Sequence, residues 1–197
     1  MTSIRLATPE DAAAILSIYA PIVEETWISF ELEVPTREEI ADRIARTLER
    51  APWILAEEDG DCLGYAYAVP FRGRPAYSWS MEVSVYVHAE HQRRGVAGAL
   101  YGALFALLRA QGFQRLIAGI ALPNDASVAF HEGLGFLPVG TFERVGHKFG
   151  DWRAVGFWDL ALCELGAQPD ELRSVEHVTP GASETLSRAA ALIRPSI

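Results

Sequence analysis

The chain has little cysteine, few basic side chains and no long apolar run among its 197 residues. Cys62 and Cys163 stand far apart, in no spacing typical of metal or redox chemistry, which indicates a reducing compartment, the cytoplasm. The longest uncharged stretch, Gly95 to Leu108, has 14 residues. A helix needs about 20 residues to cross a bilayer, so the sequence predicts no membrane span. No basic and then apolar leader opens the chain, and we therefore expect no secretory signal.

Positive charge is also scarce, since 17 Lys and Arg stand against 26 Asp and Glu for a formal net charge of −9. An acidic chain repels phosphate backbones and anionic lipid headgroups, so we expect neither nucleic acid nor a membrane surface as a partner. Half of the residues are apolar and 10% are aromatic, which is enough for a close-packed core. The composition predicts a folded domain and excludes overall disorder.

The first segments predict a strand followed by two helices. Ile4–Leu6 alternates as a strand does, and Thr8 with Pro9 is a typical helix start. A second helix is predicted from Thr36, because Glu39 three residues later completes a capping box.

The next segments predict three antiparallel strands. The pair Asp59-Gly60 is a strong hairpin signal between the apolar runs Trp53–Ala56 and Leu63–Val69. A third run extends from Tyr77 to Val87 after a polar turn. Antiparallel pairing of these neighbours is the simplest arrangement.

The period of the pattern then changes from strand to helix. Apolar residues recur at helical spacing from Val96 to Leu107, Gly112 follows as a C-cap, and Leu116–Ile120 is a short apolar strand. Such a strand, helix and strand unit is of the parallel kind. Asn124 caps a further helix, and two strand-like runs follow up to Cys163. The predicted fold class is therefore α/β with a mixed sheet.

The composition changes after residue 164. Residues 165–197 are rich in Gly, Pro, Ser, Thr and Ala and contain few large apolar side chains. We predict one domain over residues 1–164, followed by a poorly ordered tail or surface appendage in which Leu186–Ile193 favours a short helix.

The junction between the third strand of the hairpin region and the next helix is typical of an anion site. Val85–His88 ends the strand, and Gln92–Gly98 leads into the helix through small residues. Amides at a helix start lack partners and the helix dipole adds positive charge, so phosphate can bind there, with Arg93 and Arg94 adding charge. The alternative is an ordinary tight turn with solvated arginines.

Two motifs, in this order, resemble the GNAT superfamily of N-acetyltransferases. Gln92-x-x-Gly95-x-Ala97 after a Val-x-Val strand is similar to its pyrophosphate-binding motif, and Asn124 with the run 131–136 is similar to its second signature. Four further segments resemble the phosphinothricin and methionine sulfoximine N-acetyltransferase subfamily: 82–87, 121–124, 128–132 and 155–158. The resemblance implies a GNAT-type mixed, mostly antiparallel central sheet that is flanked by helices and splayed at an acetyl-CoA site.

The same resemblance implies acetyl-CoA as the co-substrate and no metal. Pantetheine would pair with the splayed strand like an extra strand, the pyrophosphate would lie on the loop amides, and Asn124 would reach the pantetheine arm. The implied acetyl-CoA residues are Val85, Tyr86, Val87, Arg93, Arg94, Gly95, Val96, Ala97, Gly98, Asn124 and Gly133. Asn124 has a second, purely structural interpretation as a helix cap.

Two side chains are candidates for proton transfer. Strand periodicity places Glu82 on the face opposite Val83 and Val85, where apolar neighbours would raise its pKa and let it take a proton from an amine. His131 stands where the subfamily it resembles also has histidine, and we assign it as a base or proton relay together with Glu82. The alternatives are a solvated strand glutamate and a histidine that is only a satisfied packing residue. The family's expected oxyanion donor is the Val87 amide.

The acceptor site is implied by the resemblance more than by the residues themselves. Arg72 and Arg74 are candidates for binding an anionic acceptor, although arginines in a turn are usually solvated. Trp27 and Phe30 fall in an irregular segment that the family uses to roof this site. The implied acceptor residues are Arg72, Arg74, Pro75, Ala76 and Tyr77.

The sequence thus predicts an acetyl-CoA-dependent N-acetyltransferase, a homodimer by family habit, that acts on a small-molecule amine of the phosphinothricin, methionine sulfoximine or methionine sulfone type. Direct transfer in a ternary complex is the implied mechanism. Two alternatives stay open: another small amine as acceptor, or a degenerate acyl-CoA-binding regulatory module. A pure binding module needs neither Glu82 nor His131, which favours the enzyme.

Overall fold

A computed structural model describes residues 1–164 and 168–195 of the chain. In this part of the chain the strands form one sheet of seven, in the order β1-β2-β3-β4-β5-β7-β6. The strands are β1 Thr2–Leu6, β2 Trp53–Glu58, β3 Asp61–Pro70, β4 Ser80–Val87, β5 Arg115–Leu122, β6 Leu137–Lys148 and β7 Asp151–Ala161. The helices are α1 Ala12–Glu25, α2 Arg37–Leu48, α3 Val96–Gln111, α4 Asp125–Gly133, α5 Val175–Val178 and α6 Ser183–Ala190. All strand pairs are antiparallel except β4 with β5, which confirms the predicted α/β class with a mixed, mostly antiparallel sheet.

Local sequence signals account for several of these boundaries. The Thr36 hydroxyl accepts from the Glu39 amide at 3.1 Å while the Glu39 carboxylate accepts from the Thr36 amide at 2.7 Å, so the predicted capping box begins α2. Asp59 and Gly60 have φ of 53° and 97°, as a two-residue turn between antiparallel strands requires. Gly112, with φ 98°, ends α3 in the left-handed conformation.

The two faces of the sheet are covered by different helices. Alternate residues of β2 show this division, because Ile54 belongs to the cluster that contains Leu104 of α3, whereas Leu55 belongs to the cluster that contains Ile15 of α1 and Ile44 of α2. The sheet is therefore the middle layer between α3 on one side and α1 with α2 on the other.

The sheet opens between its two parallel strands. Across the described residues, β4 and β5 pair at Ser80↔Arg115, Met81↔Leu116 and Glu82↔Ile117. Beyond Glu82 the two strands separate, so the rest of β4 faces a gap. The splayed sheet implied by the resemblance is confirmed.

The segment after residue 164, expected to be a poorly ordered tail or a surface appendage, contains helices that pack against the rest of the domain in its described part. Residues 168–195 contain α5 and α6, and α6 begins at Ser183 rather than at the predicted Leu186. Ala189, Ala190 and Ile193 are buried in the same cluster as α3. Small alanine side chains let a helix approach its neighbour closely, so a segment with few large apolar residues still contributes to the core. The five residues 165–167 and 196–197, which the predicted tail includes, lie outside the described residues.

None of the helices in the described part of the chain is both long enough and apolar enough to span a membrane.

Candidate active site

The gap between β4 and β5 is a cleft with a volume of about 70 Å³. Its two walls are Val83–Tyr86 of β4 and Ala118–Ala121 of β5. Side chains from the neighbouring elements complete the lining: Ile28, Tyr101, Asn124, Ser127 and His131. Strands that separate leave backbone N–H and C=O groups facing the gap, so an extended ligand can pair with them as an added strand would.

Glu82 lies at the point where the strands separate, as the last residue of β4 that pairs with β5. Its neighbours Met81 and Val83 belong to the α3 cluster, so its side chain lies on the opposite face, as the strand period predicts. Burial raises the pKa of the Glu82 carboxyl, and the positive charge of Arg72 opposes that shift. A half-buried carboxyl with a raised pKa can accept a proton from an amine at neutral pH.

The Glu82 carboxylate reaches over the backbone of β5. A Cβ built on Gly119 would lie 3.5 Å from Glu82 Oε1, and it would also contact the ring of Phe157. Glycine at this position therefore leaves open the space in front of the carboxylate, beside the cleft wall.

His131 is buried, with 5% of its surface exposed, and lies on the α3 face of the sheet. Its Nδ1 is 2.8 Å from the Ser127 carbonyl, which can only accept, so Nδ1 carries the proton. The other nitrogen, Nε2, is 3.3 Å from the Tyr101 hydroxyl. Burial lowers the pKa of His131, and the bond to Ser127 opposes the shift. The imidazole is therefore neutral near pH 7 and accepts from Tyr101.

Tyr101 is the side chain that links His131 to the cleft. It lines the cleft wall, and its ring packs edge-on to the imidazole with the centroids 5.5 Å apart. Burial raises the pKa of the phenol, so it is protonated and can donate. Tyr101 is not among the residues that the sequence pointed to, because it lies inside the apolar helical run from Val96 to Leu107 and that pattern gives no sign of a polar role.

The predicted phosphate loop joins β4 to α3. Arg93 and Gly95 have φ of 59° and 87°, and α3 begins at the next residue, Val96. Among the described contacts, the amides of residues 93–98 have no backbone carbonyl as partner. A Cβ on Gly98 would meet nothing within 4 Å, so an anion can approach the backbone there.

The two loop arginines differ, although the sequence suggested that both add charge around an anion. Arg93 is exposed. Arg94 is only 8% exposed, and its guanidinium is 2.7 Å from Glu58 Oε2 and 2.6 Å from the carbonyl oxygen of Arg194. The Arg94 side chain is therefore engaged within the protein, and what this residue offers to an anion is its backbone amide.

Asn124 has the structural role predicted for it. Its side-chain oxygen accepts from the Ser127 amide at 3.2 Å and begins α4, while the residue also lines the cleft. A Cβ on Gly133 would meet nothing within 4 Å, so that position is open. Val85 and Tyr86 form part of the cleft wall, and Val87 ends the same strand.

The predicted acceptor residues form the turn between β3 and β4. Arg72 lies over the Phe71 ring, 4.9 Å from its centroid, and is close enough to Glu82 to lower its pKa. Tyr77 packs edge-on to the same ring at 6.1 Å. Arg74, Pro75 and Ala76 are exposed on this turn. Of the two arginines, Arg72 is therefore the one whose positive charge acts on Glu82.

The loop between α1 and α2 is held over the cleft by a buried network that the sequence reasoning missed. Lys148 is 3% exposed and donates to the carbonyls of Val23 at 2.6 Å and Ser29 at 2.8 Å. Tyr19 bonds the Ser29 hydroxyl at 2.7 Å and the Glu31 carboxylate at 2.9 Å. These partners are distant in the sequence, so no local pattern could reveal them.

The two aromatic residues of this loop pack on the β6–β7 hairpin. The Arg153 guanidinium lies 4.2 Å from the centroid of Trp27. A Cβ on Gly146 would overlap the ring of Phe30. A glycine inside a strand pattern often marks such a close approach, and this is the one signal that the sequence contained.

Comparison with known proteins agrees with this geometry. The family model described as an acetyltransferase (GNAT) domain matches residues 4–154. A phosphinothricin N-acetyltransferase of Streptomyces viridochromogenes is 42% identical over 175 residues, which cover 89% of this chain and 95% of that protein. An L-methionine sulfoximine/L-methionine sulfone acetyltransferase of Salmonella typhimurium is 36% identical over 169 residues, or 85% of this chain and 98% of that protein.

A solved structure extends the comparison to the fold. The crystal structure of a GNAT superfamily phosphinothricin acetyltransferase from Sinorhizobium meliloti in complex with AcCoA superimposes with a TM-score of 0.82 at 32% identity, covering 86% of this chain and 94% of that one. Sequence, fold and the opened sheet therefore agree, and the chain belongs to the GNAT family of acetyltransferases.

Proposed function

We propose that the protein transfers the acetyl group of acetyl-CoA directly to the amine of a small amino-acid-like acceptor of the phosphinothricin, methionine sulfoximine or methionine sulfone type. The observation that carries the proposal is the half-buried Glu82 carboxyl at the point where β4 and β5 separate. A carboxyl there faces the space that both an extended donor and an amine can reach, as direct transfer in a ternary complex requires.

The residues around the cleft fit acetyl-CoA, which supplies the acetyl thioester. Val85, Tyr86 and Val87 pair with β3 on one side, and the other side of this part of β4, which faces the gap, would hold the pantetheine arm together with Asn124 and the open position at Gly133. The amides of Arg93, Arg94, Gly95, Val96, Ala97 and Gly98 would hold the pyrophosphate at the start of α3. We assign the Val87 amide to the carbonyl oxygen that gains negative charge during transfer.

Glu82 is the proposed base. The acceptor nitrogen forms the new bond to the acetyl carbon, the carbon–sulfur bond breaks, and the nitrogen loses a proton to the Glu82 carboxylate. The raised pKa of Glu82 brings its proton affinity closer to neutral pH, which makes the transfer more favourable than to an ordinary exposed carboxylate.

Tyr101 and His131 are the proposed route for the proton that the departing thiolate needs. The Tyr101 hydroxyl lines the cleft and can give its proton to the departing thiolate. The phenolate that this leaves recovers a proton from His131 Nε2, 3.3 Å away, after the imidazole has taken one up from solvent, because Nε2 carries no proton in the resting site. This assigns His131 as a relay, while Glu82 acts as base on the other face of the sheet. A purely structural histidine is the competing interpretation, because both of its nitrogens have partners in the protein.

Positive charge near Glu82 supports an anionic acceptor. Arg72 and Arg74 with Pro75, Ala76 and Tyr77 form the turn beside Glu82, and the arginines can bind carboxylate or phosphinyl and sulfonyl oxygens. The relatives named for phosphinothricin and methionine sulfoximine support this choice of acceptor. Another small amine is the alternative, and a relative named as an L-amino acid N-acyltransferase in Escherichia coli, 36% identical, supports it.

We further propose a homodimer in the cytoplasm. The edge strand β6, its turn and the start of β7 expose apolar side chains to water in a single chain: Leu137, Val139, Phe142, Val145, Phe149 and Trp152. Contiguous apolar surface on an edge strand favours association, and a second copy of the chain offers the same surface. The free cysteines Cys62 and Cys163 suit a reducing compartment. Light scattering at micromolar concentration should give twice the mass of the chain.

A thiol-release assay with acetyl-CoA tests the function. Phosphinothricin, methionine sulfoximine and methionine sulfone should release thiol at rates well above those of methionine, glutamate and simple alkyl amines. A higher kcat/KM for an uncharged amine would overturn the proposed acceptor class while leaving the acetyltransferase. Acetyl-CoA binding without thiol release from any amine would instead indicate the regulatory module.

A further inference from the structure

The C-terminal segment that follows α6 lies directly on the phosphate loop. The Arg194 amide donates to the Arg94 carbonyl at 2.9 Å, and Arg94 Nε donates back to the Arg194 carbonyl at 2.6 Å. The Arg194 guanidinium donates to the Arg93 carbonyl. The Leu192 carbonyl lies 3.2 Å from the place of a Cβ on Gly95. Three consecutive residues of the loop thus contact a segment that lies about a hundred positions later in the chain.

These contacts determine which way the loop amides point. A trans peptide unit is planar, with its C=O and N–H on opposite sides. Because the carbonyls of Arg93 and Arg94 point to the C-terminal segment, the amides of Arg94 and Gly95 point away from it. Those amides belong to the set assigned above to the pyrophosphate.

The backbone conformation of the phosphate loop has to be stabilised by contacts from outside the loop. A left-handed backbone is unfavourable for a residue with a side chain, yet Arg93 has a φ of 59°. The contacts from Arg194 hold that conformation before any ligand arrives, and preorganised donors bind an anion more tightly than mobile ones.

The segment is itself fixed to the protein at Ile193 and at Arg194. Ile193 is 6% exposed and packs into the α3 cluster. Arg94, which holds the Arg194 carbonyl, is anchored in turn by Glu58 at the end of β2. The contacts therefore connect the core to the loop. The segment is held in place and does not merely lie on the surface as an exposed terminus.

We propose that residues 191–195 form a brace that preorganises the phosphate loop for the pyrophosphate of acetyl-CoA, with Arg194 as its positioning residue. The proposal rests on the acetyl-CoA site proposed above. It predicts that loss of the brace weakens the binding of a donor that has a pyrophosphate and leaves the binding of a donor without one unchanged.

The test compares acetyl-CoA with S-acetylpantetheine, which has the same thioester and pantetheine arm but no pyrophosphate. Arg194→Ala removes the bond from the guanidinium to the Arg93 carbonyl, and deletion of residues 191–197 removes the whole brace. Arg188→Ala is the matched control, because Arg188 is an exposed arginine of α6 whose partner is Glu184 at 2.5 Å. Steady-state rates are measured with both donors, and the affinity for acetyl-CoA is measured by calorimetry.

We expect Arg194→Ala to raise the KM and the Kd for acetyl-CoA at least about threefold, as loss of one hydrogen bond does. The deletion should raise both at least about tenfold, while kcat stays within about twofold. The kcat/KM for S-acetylpantetheine should stay unchanged in Arg194→Ala, and Arg188→Ala should match the wild type with both donors.

Two results would overturn the brace: unchanged acetyl-CoA affinity in Arg194→Ala, or an equal loss with both donors. If the deletion variant does not fold, Arg194→Ala alone decides between these outcomes. Failure of the proposed function looks different, because the wild-type protein itself would then release no thiol from acetyl-CoA with any amine, or would show no calorimetric binding of acetyl-CoA.

Discussion

Replacement of Glu82 by glutamine separates the catalytic role of this carboxyl from any role in stability. The glutamine side chain has nearly the same size and hydrogen-bonding capacity but cannot accept a proton. A general base contributes about 10²–10⁴-fold, so Glu82→Gln should lower kcat by at least about 100-fold. The KM for acetyl-CoA should change little, since the loop amides that would bind the pyrophosphate follow the end of β4, whereas the acceptor turn precedes its start.

We expect Glu82→Gln to leave the stability of the fold unchanged or to raise it, although the same change lowers kcat. Burial raises the pKa of Glu82 above its unfolded value, so this group stabilises the fold below its ordinary pKa of 4.5, and that contribution is lost as pH rises through the folded pKa. At pH 7 the ionised carboxyl opposes folding, and Glu82→Gln should leave the Tm equal to or above that of the wild type. A large drop in Tm would show that the carboxylate has a structural partner. The loss of kcat in this variant would then not be evidence that Glu82 is the base.

The pH profile provides the second arm of this test. The wild-type kcat/KM should fall on the acid side as Glu82 is protonated, and Glu82→Gln should abolish that limb. Arg72 lowers the pKa of Glu82, so Arg72→Ala should shift the limb to higher pH. Arg74→Ala, on the same exposed turn, is the matched control and should leave the limb in place. If Glu82→Gln keeps the wild-type rate and profile, the amine loses its proton by another route and Glu82 is not the base.

Three further outcomes follow from the site. His131→Gln, which retains an acceptor for Tyr101 but does not titrate near neutral pH, should lower kcat about tenfold or more with acetyl-CoA affinity intact, whereas unchanged kcat would favour the packing role. Arg74→Ala should raise the KM of an anionic acceptor up to about thirtyfold, for a charge-assisted bond of about 2 kcal/mol, and leave the KM of acetyl-CoA unchanged; equal losses would assign it to folding. Gly146→Ala should lower the free energy of unfolding by about 1–3 kcal/mol, because its Cβ overlaps the Phe30 ring; denaturant titration with Gly140→Ala, in the same strand with nothing within 4 Å of the added Cβ, as comparison would contradict this if both cost the same.

The parts of the fold that sequence predicted well depend on neighbours a few residues apart. The capping box of Thr36 and Glu39, the hairpin turn at Asp59-Gly60 and the face of Glu82 all follow from short-range geometry and strand periodicity. The cleft was predictable only through the resemblance, because the separation of β4 from β5 after Glu82 is not visible in either strand alone.

The parts that sequence could not predict depend on which distant surface a residue meets. Lys148 has no charged neighbour in sequence that would explain its burial, and its partners are the carbonyls of Val23 in the last turn of α1 and of Ser29 in the following loop, both more than a hundred residues earlier. The alanines of α6 carry little apolar surface each, so their composition resembles that of a tail, although α3 covers them. Whether a small side chain is core or surface is decided by the partner helix.

The adjacent arginines of the phosphate loop are a second case in which the sequence does not show which surface each side chain contacts. By composition Arg93 and Arg94 are equal, and charge alone assigns both to an anion. The structure gives Arg93 a left-handed backbone and an exposed side chain, while Arg94 is buried against Glu58 and the Arg194 carbonyl. A buried guanidinium with a carboxylate partner is already neutralised, so it adds little to the field at the loop. The positive end of α3 and the loop amides must then supply most of the attraction for a pyrophosphate, and their orientation matters more than the number of arginines in the motif.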